Sequence, residues 1–135
     1  MAFTNIRLTR ELLQSAEMHF SASEGAVADF YGVVRSIEND RAIDGIEYEA
    51  FESMARRQLE LIASRALEEF HLAAVTIHHR IGLVPAGEAS LYVRVTARHR
   101  RAALEACGQI IERLKVSVPI WKRPVFADVP TAEPA

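Results

Sequence analysis

The chain has 135 residues, half of them hydrophobic and a quarter charged, with a formal net charge of −2. That composition suits one compact domain with a real core, and it argues against a disordered chain, a polyanion-binding tail or a membrane span. A start without a basic, apolar leader and a single cysteine, Cys107, lead us to expect a reducing, cytoplasmic setting with no nucleic-acid or membrane partner.

Residues 4–9 are expected as a first strand and 10–20 as a short helix with Leu12, Leu13 and Ala16 inward. Ala26 to Arg35 alternates and is rich in Val, Phe and Tyr, which predicts a strand. The polar stretch Ser36 to Asp44 breaks it, and Gly45 to Phe51 resumes as a second strand. Over 52–70, Phe51, Ala55, Leu59, Ile62, Ala66 and Phe70 recur at three and four, the stripe of a helix lying on a sheet. Ala73, Val75, Ile77, His79 and Ile81 alternate as a strand, Gly82 to Glu88 reads as a turn, and Leu91, Val93 and Val95 mark another strand. A second helix spans about 99–115 with Ala103, Cys107, Ile110 and Leu114 inward, and Ser117 to Arg123 is extended. Two long helices on a mainly antiparallel sheet make an α+β domain over 1–127, and 128–135, with Pro130 and Pro134, reads as a flexible tail.

The net charge hides an asymmetry. Arg94, Arg98, Arg100, Arg101, Arg113, Lys115, Lys122 and Arg123 face only Glu105 and Glu112 in their stretch of chain, while the remainder is acidic. Such a patch is either a solvated helix face or a seat for a compact anion or an acidic partner. Lys115 closes the second helix just past its apolar stripe, where it can snorkel to water. Held in a partly apolar pocket, it would instead lose solvation and become available as a base or nucleophile. Lys122, in the extended Val118-Pro119-Ile120-Trp121-Lys122, shares a strand face with apolar side chains, so both lysines are expected to point inward. His99 and Arg100 open the second helix, where free N–H groups and the positive end of the dipole favour phosphate or carboxylate. Arg35, at the end of the first long strand, could bring a further cation to a cleft.

Other residues carry less chemistry. His78 and His79 are adjacent on a strand and point to opposite faces, and His19 and His71 lack ligand spacing, so neither a metal site nor a cofactor is expected. Cys107 lies on an apolar helix stripe and reads as core. No Gly-rich phosphate loop, nucleophile elbow or dinucleotide fingerprint occurs.

Five segments then align in order. Gly25-Ala26-Val27 with Phe30-Tyr31-Gly32-Val33-Val34-Arg35, and Ile46-Glu47-Tyr48-Glu49-Ala50-Phe51 with Met54-Ala55, resemble the N-terminal half of the catalytic (large) subunit family of molybdopterin synthase. So do His79-Arg80-Ile81-Gly82 with Gly87-Glu88, then His99-Arg100, then Leu114-Lys115 with Pro119-Ile120-Trp121-Lys122-Arg123. The resemblance covers roughly 25–123. It implies a hammerhead-type α/β fold and a homodimer that binds a small ubiquitin-like sulfur carrier at each end, a heterotetramer in all. The carrier would insert a C-terminal Gly-Gly thiocarboxylate, and two sulfurs would pass to cyclic pyranopterin monophosphate to form the dithiolene of molybdopterin. By position, Lys115 matches the principal catalytic lysine and Lys122 the second. His99, Arg100 and Arg35 match the lining of the pterin-phosphate pocket, with Phe30 beside it and Arg123 in the substrate-binding set.

The chain departs from that pattern in three places. Pro124 stands where an acidic residue is usual, Phe51 where a tyrosine is common, and a longer C-terminal extension is lacking after Phe126. A diverged module that binds the carrier or a pterin phosphate without turnover is therefore the alternative to a working sulfurtransferase. A generic phosphate-binding regulator would explain the basic patch but not the order of the segments.

Overall fold

A computed structural model of the chain describes residues 2–14 and 20–127. Eight strands and two helices are present among them: β1 (Phe3–Thr9), β2 (Ala26–Val33), β3 (Ile37–Glu38), β4 (Arg41–Ala50), α1 (Glu52–Phe70), β5 (Ala74–Arg80), β6 (Gly82–Pro85), β7 (Ala89–Ala97), α2 (Arg100–Ser117) and β8 (Ile120–Phe126). The α+β class expected from the sequence holds.

The strands form two sheets. The larger runs β1-β5-β7-β2; β1 and β5 are parallel, and β5–β7 and β7–β2 are antiparallel. Both helices lie against one face of it. From α1, Ala55, Leu59, Ile62, Ala63 and Ala66 are buried, and from α2, Ala103, Ala106, Cys107, Ile110 and Leu114. They meet Val75 and Ile77 of β5 and Leu91, Val93 and Val95 of β7 in one core cluster. Alternation puts these strand residues on the same face, while spacings of three and four put the helical ones on one stripe. Each fully buried valine, leucine or isoleucine side chain contributes roughly 1.5–3 kcal/mol of transfer free energy, and the alanines less. The smaller sheet is built around β4, which pairs with β3, β6 and β8. Among the described residues its buried core is Val34, Ile43, Ile46 and Val84, with Tyr48 and Ala86 packed against it. Gly45 is required there, because a Cβ would come within 2.5 Å of the Val84 carbonyl oxygen.

Four expectations need correction. Residues 10–14 form no helix and Leu12 is exposed; the Thr9 hydroxyl accepts the Glu11 N–H at 3.0 Å, a local turn that competes with helical bonding. The rest of that predicted helix, 15–19 with Ala16, lies outside the described residues, as does the predicted tail at 128–135. Ser36–Asp44 is no break but a hairpin, β3 to β4, turned by Asn39 and Asp40 at φ 52° and 63°. Asn and Asp tolerate this left-handed pair, which matches the twist of a two-residue hairpin. Gly82–Pro85, read as part of a turn, is strand β6 on β4, with the reversal confined to Ala86-Gly87. Finally, Phe51 is not part of the buried helix stripe. It caps α1 without a side-chain hydrogen bond and is 63% exposed.

Candidate active site

The candidate residues fall into two groups at the ends of α2. His99 is its N-cap residue, in extended conformation and with no side-chain cap bond, and Arg100 is the first helical residue. Both side chains are exposed, so the helix start is open to an anion. His99 also lines a groove of about 930 Å³ with Arg98, His71 and Phe20. At the other end, Lys115 sits in the last turn, where a cation complements the helix dipole. Sixteen residues at 1.5 Å each separate His99 from Lys115, about 24 Å along the axis.

Beyond α2 the chain turns through Val118-Pro119 into β8. Antiparallel pairing sets Lys122 opposite Tyr48 and Arg123 opposite Glu47 of β4. Lys115, Lys122 and Arg123 are all exposed in the isolated chain, which corrects the inward orientation expected of the two lysines. The helical stripe stops at buried Leu114, and β8 pairs with β4 of the small sheet rather than lying in the sheet that the helices cover. Phe51 and Trp121, both exposed, flank this end with ring centroids 6.2 Å apart. Phe30 lies on β2 opposite Val93, on the side of Ala26 and Ala28 that packs toward α2, and is 36% exposed.

Arg35 lies just beyond β2, after a register shift at Gly32/Val33. Its backbone is set by its neighbour Val34, whose N–H donates to the Glu88 carbonyl at 3.0 Å and whose carbonyl accepts from Gly87 at 2.7 Å. Glu88 is in turn held by Arg80, Nη1 to Oε1 2.6 Å, with the Arg80 side chain only 9% exposed. The His-Arg and Gly-Glu segments noted in the sequence thus form one brace under Arg35. His79 is buried beside them. Its Nδ1–H donates to the Arg80 carbonyl at 2.6 Å, which fixes the tautomer because a carbonyl only accepts. Burial pushes the His79 pKa below the usual histidine value. Tyr48 ties the two sheets together: its hydroxyl donates to Ser90 Oγ at 3.2 Å and its ring meets His79 edge-on.

Sequence reasoning passed over Glu38, although the structure brings it to two of the candidates. Its carboxylate lies 3.8 Å from Arg35 Nη2 and 3.6 Å from Lys122 Nζ. The signal that could have found it is Asn39-Asp40, a turn dipeptide that implies a hairpin and places Glu38 beside it. Not all of the basic stretch is available to a ligand. Arg94 forms a bidentate pair with Asp29 (2.7 and 2.9 Å), which holds the Asp29 carboxyl below the usual range. Arg113 pairs with Glu69 on α1. His78 is half-buried against Tyr92 and within 3.2 Å of Asn5 Oδ1, and it points away from His79. Cys107 is buried in the main core and its thiol pKa is pushed up by desolvation.

Fold and site together define an α+β protein with exposed cations at both ends of one helix. Comparison with known proteins identifies the group: the MoaE protein family matches residues 4–117, and the chain belongs to that family. The molybdopterin synthase catalytic subunit of Oryza sativa subsp. indica is 44% identical over 104 residues, 77% of this chain and 54% of the relative. The chain therefore spans about half the length of that relative. The crystal structure of molybdopterin synthase from Staphylococcus aureus superposes with a TM-score of 0.83 at 31% identity, covering 90% of each chain. A complex of subunits 1 and 2 of molybdopterin-converting factor from Helicobacter pylori 26695 matches with a TM-score of 0.64 at 25% identity, over 80% of this chain and 75% of that one. No helix among the described residues is long and apolar enough to cross a membrane.

Proposed function

We propose that this protein is the sulfur-transferring subunit of a molybdopterin synthase. It takes one sulfur from the C-terminal thiocarboxylate of each of two small ubiquitin-like carriers and delivers both to cyclic pyranopterin monophosphate, opening the cyclic phosphate and forming the dithiolene. The observation that carries this reading is the convergence of Arg35 and Lys122, far apart in sequence, on one spot in a chain of the MoaE protein family. The two-subunit complex named for the Helicobacter pylori relative supports a small partner subunit.

The residues suit the chemistry. The phosphate of the substrate finds free N–H groups and cations at His99 and Arg100. The sulfur transfers need protons moved near the thiocarboxylate, work for Lys115, and cations to stabilise the carboxylate released on the carrier, work for Lys122, Arg35 and Arg123. The sulfur arrives on the partner, so a buried Cys107 is no obstacle. Phe30 would flank the pterin.

One chain cannot close both groups on one pterin, because they are about 24 Å apart along α2. The reading therefore requires a homodimer in which His99 and Arg100 of one copy complete the pocket holding Lys115 and Lys122 of the other. A two-fold pairing produces two such pockets per dimer.

The test is to mix the protein with thiocarboxylated carrier and cyclic pyranopterin monophosphate and assay for dithiolene. Product from the wild type, and little from Lys115→Ala, is expected. Tight carrier binding with no product from the wild type would leave only the non-catalytic binding module.

A further inference from the structure

Glu38 stands between two residues assigned to substrate, and nothing in the family motifs gives it a part. Its place is fixed by the backbone: it ends β3, pairs with Arg41 across the hairpin, and precedes the two left-handed turn residues Asn39 and Asp40. The side chain is only 17% exposed, against 79% for Arg35 and 57% for Lys122. A short, anchored carboxylate thus meets two long, mobile cations, one on each oxygen: Arg35 on Oε1 and Lys122 on Oε2.

The other charges nearby are engaged differently. Arg41, opposite Glu38, lays its guanidinium over the Phe126 ring, 3.8 Å from the centroid. Glu47 is opposite Arg123, one position along β8 from Lys122. Pro124, two residues on and on the same side of the strand as Lys122, carries no charge at the place where the family resemblance led us to expect an acid. Among the described residues, Glu38 is the carboxylate within ion-pairing distance of Lys122.

We propose that Glu38 is a positioning residue of the sulfur-transfer site, holding Arg35 and Lys122 together so that both cations face the same point of the reacting complex. The proposal rests on the sulfurtransferase reading above. Ion pairs this exposed add little to stability, since the solvent screens them and ordering two long side chains costs entropy. The effect of Glu38 falls on catalysis: it narrows the conformers of both cations before substrate arrives, and misplaced groups lose rate steeply.

The test compares wild type with Glu38→Gln, which keeps the shape and removes the charge, in the dithiolene assay with thiocarboxylated carrier. We expect kcat to fall on the order of 10-fold, with KM for the pterin within about twofold and Tm unchanged. The double variant Glu38→Gln/Lys122→Ala is expected to lose clearly less than the product of the two single losses, because Glu38 acts in part through that lysine and in part through Arg35. An unchanged kcat in Glu38→Gln, or losses that simply multiply in the double variant, overturns the proposal. If the wild type forms no dithiolene, the functional reading fails and this one with it; an active wild type leaves the Glu38 variants to decide the matter alone.

Discussion

The helix-covered sheet β1-β5-β7-β2 and the small sheet around β4 are built on different terms. The first buries a continuous cluster from Ala55 through Val118 beneath two helices. The second has four buried core residues among those described, and depends on its neighbour through Tyr48–Ser90 and through the Val34 backbone. The candidate residues are distributed across both: His99, Arg100 and Lys115 are fixed by a helix locked into the large core, while Lys122, Arg123 and Glu38 ride on the thin sheet. Precision at the first group comes from packing. At the second it has to come from side-chain pairing, which is why a single carboxylate can matter there.

The largest effect that tests this contrast is on activity. Lys115→Ala should lower dithiolene formation by about 10²–10⁴-fold if the lysine moves protons. Because Lys115 is exposed, its melting temperature should stay within a degree or two of wild type, and a large drop would show that the residue is structural. Next in size, Leu59→Ala in the large core should cost about 3 kcal/mol in urea unfolding, as expected for a fully buried leucine. Val84→Ala in the small core should cost about 2 kcal/mol, from two lost methyl groups and little room to relax. A larger loss at Val84 than at Leu59 would reverse the ranking of the two regions.

The smallest effect is a pH dependence at the seam. Burial lowers the His79 pKa in the folded state, so below the ordinary histidine value of 6.5 the unfolded chain takes up a proton that the folded chain does not. The stability contributed by neutral His79 is present above that value and lost as pH falls through it, at up to about 1.4 kcal/mol per pH unit. Urea midpoints measured from pH 7.5 to 5 should decline in the wild type and be flatter in His79→Gln. Equal slopes would exclude His79 as the source.

The large sheet and its helices were legible because their residues repeat. Ala103, Cys107, Ile110 and Leu114 follow one helical stripe, and all four are buried; Val75 and Ile77 alternate, and both are in the core. The small sheet hid because its signals are short. β3 has two residues, β6 ends in a proline, and the Asn39-Asp40 turn sits in a polar run that resembles a loop. The candidate residues were found by motif, while their surroundings were not: helix phase for Lys115 and strand phase for Lys122 suggested inward lysines, but phase does not reveal what lies over that face. Glu38 escaped notice because its partners lie on other elements, and pairing across a fold is invisible in linear spacing.

The central claim is that two copies of this chain share each pocket, His99 and Arg100 from one and Lys115 and Lys122 from the other. The direct measurement is a subunit mix of Arg100→Ala with Lys115→Ala, each inactive alone, unfolded and refolded together with carrier and substrate then added. If the pocket is shared, half of the dimers are mixed and each has one intact pocket, so about a quarter of wild-type activity should return. If no activity returns while mixed dimers are shown to form, both groups belong to one chain's pocket and the shared-site account is wrong.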